Sequence, residues 1–70
     1  SLAISVLKEY RGKGIGTRIL QALLESLKRK GYERVSLAVQ KENYAVRMYK
    51  NAGFQIIGEN EEEFIMMREL

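Results

Sequence analysis

The chain has 70 residues, a formal net charge of +3 and 46% apolar residues. This length supports one domain at most, and the apolar share is too high for a disordered chain. It contains no cysteine and no histidine, so it offers no disulfide, no thiolate or imidazole metal ligand and no histidine base. With no apolar run of about 18 residues and no signal-peptide pattern, we expect a cytoplasmic protein without membrane contact.

The first predicted elements are a strand and a helix on either side of a glycine-rich loop. Residues 2–7 are apolar and partly β-branched, which is typical of a buried strand. Apolar residues recur at helical spacing through residues 15–30, and Gly31 suits the position after a helix C-terminus. Between these elements, residues 11–16 alternate three glycines with basic side chains.

The second half predicts a strand, a helix and two further strands. Val35, Leu37 and Val39 alternate with small residues, as in a strand with one buried face. Residues 43–52 predict a helix that Gly53 ends, and residues 54–57 and 63–70 predict a hairpin that turns at residues 58–60. The order is β-α-β-α-β-β, an α/β fold in which the first two strands are parallel neighbours and the helices pack on the sheet.

The loop at residues 11–16 predicts a site for a phosphate or pyrophosphate. Glycine lets backbone amides approach a ligand closely, and a helix that begins directly afterwards adds unpaired N–H groups and the positive end of its dipole. A Walker A loop needs Lys-Ser or Lys-Thr after its last glycine, whereas Gly16 is followed by Thr17 and Arg18. The spacing G-x-G-x-x-G is absent as well, which disfavours a dinucleotide oxidoreductase.

The distribution of charge supports an anionic ligand near this loop. Residues 1–34 hold eight Lys or Arg against three Glu, whereas residues 35–70 hold four against six. The positive half therefore carries the glycine loop. The acidic second half argues against one broad nucleic-acid surface, so a small basic nucleic-acid-binding module is the least favoured alternative.

Two motifs together resemble the GCN5-related N-acetyltransferase (GNAT) superfamily. Residues 6–16, with the pattern Arg-x-x-Gly-x-Gly, look like its acetyl-CoA loop. Residues 43–54 look like its later signature, an Asn, then an Ala four residues before a Tyr, then Gly-Phe. The separation of the two motifs, one helix and one strand, is also that of the family.

The resemblance implies a partial GNAT-like mixed sheet and an acetyl-CoA-dependent transfer of an acetyl group to a primary amine. It implies that residues 1–70 form a single, incomplete domain, the cofactor-binding half without the N-terminal strands and helices. Tyr49 is then the general acid that protonates the departing thiolate. The implied cofactor-binding residues are Ile4, Ser5, Val6, Arg11, Gly12, Lys13, Gly14, Ile15, Gly16, Thr17 and Asn43.

The chain departs from the family pattern in ways that leave alternatives open. Asn43 lies one residue closer to the matched alanine than the family's Asn, so it either contacts CoA or only caps its helix. No acidic residue precedes Glu9, so a carboxylate base on the first strand is missing. A non-catalytic CoA-binding fragment that self-associates is the main alternative to an enzyme. We also expect a homodimer through the exposed edge of the first strand or an open sheet face.

Overall fold

A computed structural model describes residues 4–7, for which only the backbone is considered, and residues 16–70. Its elements are β1 (Ile4–Leu7), α1 (Thr17–Arg29), β2 (Arg34–Gln40), α2 (Ala45–Asn51), β3 (Gln55–Glu59) and β4 (Glu63–Glu69). The predicted order of strands and helices is confirmed. Neither helix in this described part has the length and apolar character needed to cross a bilayer.

The four strands form one mixed sheet in the order β1-β2-β4-β3. β1 and β2 are parallel, as predicted, and β4 runs antiparallel to both β2 and β3. The carboxyl ends of β1 and β2 therefore share one edge of the sheet, at Leu7 and Gln40. Because Gln40 is paired with Glu63, β4 begins at that same edge. We call this end of the sheet, defined by Leu7, Gln40 and Glu63, the upper edge. It is distinct from the outer edge of β1, which runs along the strand.

Both helices bury their apolar sides against the sheet. The alternation predicted for β2 is confirmed, because Val35, Leu37 and Val39 are buried whereas the residues between them are half-buried. The buried residues form a single cluster, consisting of Leu20, Leu24, Leu27, Val35, Leu37, Val39, Ala45, Tyr49, Phe54 and Met66. Burial of these side chains supplies the main driving force for folding.

The helix ends differ from the predicted bounds by one or two residues. Helix α1 begins at Thr17 because Gly16 is its extended N-cap, and Lys30 is its C-cap. Position 15 lies outside the described residues. Helix α2 begins at Ala45, after a turn whose first carbonyl belongs to Asn43. The predicted C-terminal glycines are confirmed, since Gly31 has a φ of 94° and Gly53 a φ of 98°.

The hairpin turn lies two residues later than predicted. Strand β3 continues through Gly58 to Glu59, and the turn is closed where the Asn60 N–H donates to the Glu63 carbonyl at 3.0 Å. The Asn60 Oδ1 also accepts the N–H groups of Glu62 and Glu63, at 2.9 and 2.7 Å. A β-bulge at Ile57 shifts the register between β3 and β4. Glycine favours turns, which placed the predicted turn at Gly58, whereas pairing with Ile65 of β4 keeps Gly58 within the strand.

Candidate functional site

The first turn of α1 is open to solvent. Residues 16–19 are all exposed, and Ile19 is 63% exposed although the sequence placed it on the apolar stripe. The helical hydrogen bonds begin with the Leu20 N–H, which donates to the Gly16 carbonyl at 3.0 Å. The N–H groups of residues 17–19 therefore have no acceptor inside the helix. The first turn contains no acidic side chain, so nothing there opposes an anion.

Gly16 leaves free space at this helix end. Its φ of −70° and ψ of 158° are accessible to any residue, so backbone conformation does not require glycine. A Cβ built on Gly16 would have no heavy atom of the described residues within 4 Å. Neither strain nor packing against this part of the chain therefore explains the missing side chain. An approaching ligand would use this space, which agrees with the predicted phosphate site.

Strand β1 carries three of the predicted cofactor-binding residues. Ile4, Ser5 and Val6 are paired with residues 34–36 of β2. β1 is the outermost of the described strands. Binding of CoA by its main chain stays a prediction. The other predicted residues of the loop, Arg11, Gly12, Lys13, Gly14 and Ile15, lie outside the described residues.

Tyr49 lies in the core on the inner face of α2. Its side chain is 3% exposed, and its ring packs edge-on against Phe54 with centroids 5.5 Å apart. The predicted placement on the apolar face is thus confirmed. A buried phenol is held firmly by packing, which suits a group that must present one hydrogen bond in one direction. Its role as proton donor stays a prediction.

Asn43 stabilises the start of α2. Its Oδ1 accepts the Ala45 N–H at 2.8 Å, and its carbonyl accepts the Val46 N–H at 3.1 Å. Its own N–H donates to the Gln40 carbonyl at 2.9 Å, which ties the helix start to the upper edge. Of the two roles that the sequence allows for Asn43, a helix cap and a CoA contact, the structure shows the helix cap. A CoA contact by Asn43 stays a prediction.

Sequence reasoning missed an exposed aromatic and basic surface on α2. Tyr44 is 79% exposed and lies beside Arg47 and Lys50, which are also exposed. The signal was available as helical spacing, because these positions lie opposite the buried Ala45 and Tyr49. This surface adds positive charge along the exposed side of α2.

Comparison with known proteins decides the family. The sequence model of the Acetyltransferase (GNAT) family matches residues 2–54 of the chain. The chain belongs to the GNAT acetyltransferase family. The match includes β1, the glycine loop, α1, β2 and α2, which are the elements that build the candidate site.

Individual GNAT relatives agree with this assignment. The chain is 47% identical over 58 residues to the uncharacterized N-acetyltransferase YobR of Bacillus subtilis strain 168, a match covering 81% of this chain and 24% of that protein. It is 36% identical over 67 residues to the spermine/spermidine N(1)-acetyltransferase of the same strain, covering 90% of this chain and 44% of that protein. The chain thus spans less than half the length of either relative.

A solved GNAT structure shares the fold. The PaiA N-acetyltransferase of Thermoplasma acidophilum, in complex with coenzyme A, superposes with a TM-score of 0.81 at 24% identity. The superposition covers 96% of this chain and 46% of that chain. The predicted GNAT-like mixed sheet is therefore confirmed.

Proposed function

We propose that this protein is an acetyl-CoA-dependent N-acetyltransferase and that the described residues form its acetyl-donor side. The observation that carries the proposal is the open, acid-free first turn of α1 near the upper edge of two parallel strands. Ligands of open α/β sheets bind outside the carboxyl ends of the strands. A pyrophosphate there would accept hydrogen bonds from the N–H groups of residues 16–19 and would be favoured by the helix dipole.

The remaining donor contacts follow from the fold. The main chain of β1, at Ile4 to Val6, would hydrogen-bond the amide-bearing arm of CoA as a neighbouring strand does. In the reaction the amine nitrogen forms a bond to the acetyl carbon, and the bond from that carbon to sulfur breaks. The Tyr49 hydroxyl would give its proton to the departing thiolate, and the amine would lose a proton to water or to a base outside this chain.

The chemistry of the chain favours direct transfer to an amine. Residues 1–70 contain no cysteine and no histidine, and direct transfer to the amine requires neither. Direct transfer requires both substrates to be bound at the same time. That the relative acting on spermine and spermidine acetylates an amine supports a primary amine as acceptor class.

Calorimetry with two acetyl donors tests whether the first turn of α1 binds the pyrophosphate. Acetyl-CoA is compared with acetyl-pantetheine, which keeps the thioester and the amide arm but lacks the pyrophosphate and nucleotide. We expect acetyl-CoA to bind at least tenfold more tightly and its affinity to fall with salt. Equal affinities would overturn the assignment of the α1 turn.

Turnover separates the enzyme from the alternative of a non-catalytic CoA-binding fragment. Thiol release from acetyl-CoA is followed with spermidine, an N-terminal peptide amine and a lysine-type amine as acceptors. We expect acceptor-dependent release from the protein that contains this chain. Tight acetyl-CoA binding with no release for any amine would favour the non-catalytic alternative.

We further propose a homodimer that pairs through the outer edge of β1 or through an open sheet face, and a cytoplasmic location. An unpaired strand edge readily accepts a second strand. Light scattering after size-exclusion chromatography tests the dimer, and a monomer at high concentration contradicts it. Acetyl-CoA that shifts the dimer toward monomer would show competition for the same edge. Cell fractionation tests the location.

A further inference from the structure

A groove lies between the two helices, away from the upper edge. We call it the lower groove and define it by Gln21, Glu25, Lys28, Asn51, Arg68 and Leu70. Arg68 is paired with Val35 near the beginning of β2, so the groove lies toward the opposite end of the sheet. Its cavity volume is about 480 Å³, which is enough for a small metabolite.

The side chain of Arg68 lies directly over Gly53. A Cβ placed on Gly53 would come within 2.9 Å of the Arg68 Nε and 3.4 Å of its Cδ. Arg68 shares the helix-facing side of β4 with Phe64 and the buried Met66, and it is itself half-buried. The missing side chain at Gly53 therefore lets the guanidinium enter the space between the helices.

This guanidinium has no protein acceptor among the described residues. The ion pairs there are Arg34 with Glu69 and Lys41 with Glu59, and the hydrogen bonds between side chains or from backbone to side chain do not include Arg68. A guanidinium carries five N–H donors in a planar fork that fits a carboxylate or a phosphate. No buried side-chain nitrogen or oxygen among the described residues lacks a partner, so the unpaired N–H groups of Arg68 reach solvent and are accessible to an oxyanion.

The rest of the lower groove complements such a ligand. Lys28 adds a second cation, Glu25 adds one carboxylate, and the amides of Gln21 and Asn51 can each donate. Among the side chains that line the groove, two cations against one carboxylate leave one uncompensated positive charge. We propose that the lower groove binds a small oxyanion, the carboxylate or phosphate group of a metabolite, with Arg68 as its main contact.

The lower groove is separate from the acetyl-donor site. Lys28 follows Thr17 by eleven residues of helix, which corresponds to about 16 Å along the axis. Val35, the partner of Arg68, precedes Gln40 by five residues of strand, or about 17 Å. A small anion in the lower groove therefore leaves the first turn of α1 free, and both ligands can be bound together.

An NMR titration of the ¹⁵N-labelled protein tests the proposal. Inorganic phosphate and acetate are the two probes, and sodium chloride at the same ionic strength is the control. We expect saturable amide shifts near Lys28, Asn51 and Gly53 with phosphate or acetate and not with chloride. The stronger probe identifies the oxyanion. Shifts that are equal for all three salts, or no saturable shift, overturn the proposal.

Four variants of residues that line the lower groove test the proposal, three of which should weaken probe binding and one of which should strengthen it. Arg68→Met should weaken probe binding at least tenfold, and Arg68→Lys, which keeps the charge without the fork, should weaken it less. Lys28→Met should weaken binding several-fold, whereas Glu25→Gln should strengthen it several-fold. If Arg68→Met does not fold, the test rests on Lys28→Met and Glu25→Gln, both at exposed positions of α1. Their expected effects on probe affinity have opposite signs.

Arg29→Met is the matched control, because Arg29 is an exposed cation next to Lys28 that does not line the groove. It should leave probe binding unchanged, and a loss as large as that of Arg68→Met would indicate non-specific attraction and overturn the proposal. Acetyl-CoA affinity is measured in the same variants and should stay constant. The lower groove and the proposed acetyl-donor site can therefore fail independently.

Discussion

The ring of Tyr49 meets the ring of Phe54 edge to face, with centroids 5.5 Å apart and planes inclined by 63°. Both side chains are 3% exposed. The Phe54 N–H also donates to the Tyr49 carbonyl at 2.9 Å, so the chain returns from α2 directly onto this ring. The ring thus belongs to the core, whereas the proposed chemistry belongs to the hydroxyl. The two roles can be separated by substitution.

Tyr49→Phe should lower kcat by about 100-fold, because general acid catalysis typically contributes 10²–10⁴. The KM for acetyl-CoA should change little, since the ring and its packing remain. Steady-state kinetics and acetyl-CoA calorimetry measure the two quantities. The control is Tyr44→Phe, which removes a tyrosine hydroxyl from an exposed position. A kcat that falls equally in both variants would contradict a specific role for Tyr49.

The sequence predicted those elements that depend on local pattern. Alternation at Val35, Leu37 and Val39 identified β2, and helical spacing identified α1 with Leu20, Leu24 and Leu27 in the core. Gly31 and Gly53 marked the helix ends because their positive φ is a local requirement. The helix face that carries Tyr49 followed from the same spacing.

The features that the sequence did not predict depend on contacts between distant residues. The bulge at Ile57 exists only through the pairing of β3 with β4, and the same pairing keeps Gly58 and Glu59 in the strand. Arg68 was not singled out, because its place over Gly53 joins β4 to the end of α2. Alternation along β4 carried a partial signal, since Arg68 shares a face with the buried Met66.

Gly16→Asp should weaken acetyl-CoA binding at least tenfold while leaving the fold intact or slightly more stable. Aspartate is a favoured N-cap and interacts well with the helix dipole, so α1 should gain a few tenths of a kcal/mol. The same carboxylate would occupy the open space beside Gly16 and repel a pyrophosphate. Urea unfolding and acetyl-CoA calorimetry measure the two effects.

The control for Gly16→Asp is Ala22→Glu, which adds the same charge at an exposed position of α1. It lies about 9 Å along the helix axis from Gly16. It should reduce acetyl-CoA affinity less than threefold. If Gly16→Asp binds acetyl-CoA as tightly as the unmodified protein, the pyrophosphate does not bind at this helix end.

Gly53→Ala should destabilise the fold more than Gly31→Ala. Both glycines have positive φ, 98° and 94°, so each substitution carries a conformational cost of about 1 kcal/mol. Only at Gly53 would the new Cβ also collide with Arg68, since nothing lies within 4 Å at Gly31. Chemical unfolding of both variants, and of Gly53→Ala combined with Arg68→Ala, measures the difference. Equal losses at the two glycines, or no recovery in the double variant, would contradict the close contact.

The ion pair between Lys41 and Glu59 should contribute less than about 1 kcal/mol to the free energy of unfolding. The Lys41 Nζ lies 2.6 Å from the Glu59 Oε1 and 5.3 Å from the centroid of the Phe64 ring, but the side chains are 29% and 60% exposed. Water and salt therefore screen the attraction. A double-mutant cycle of Lys41→Met and Glu59→Gln should give a coupling energy that shrinks in 1 M salt. The matched control is the looser pair of Arg34 and Glu69, 3.7 Å apart, whose coupling should be smaller still. A coupling energy above about 2 kcal/mol that does not change with salt would contradict the prediction, because it exceeds what an exposed pair can supply.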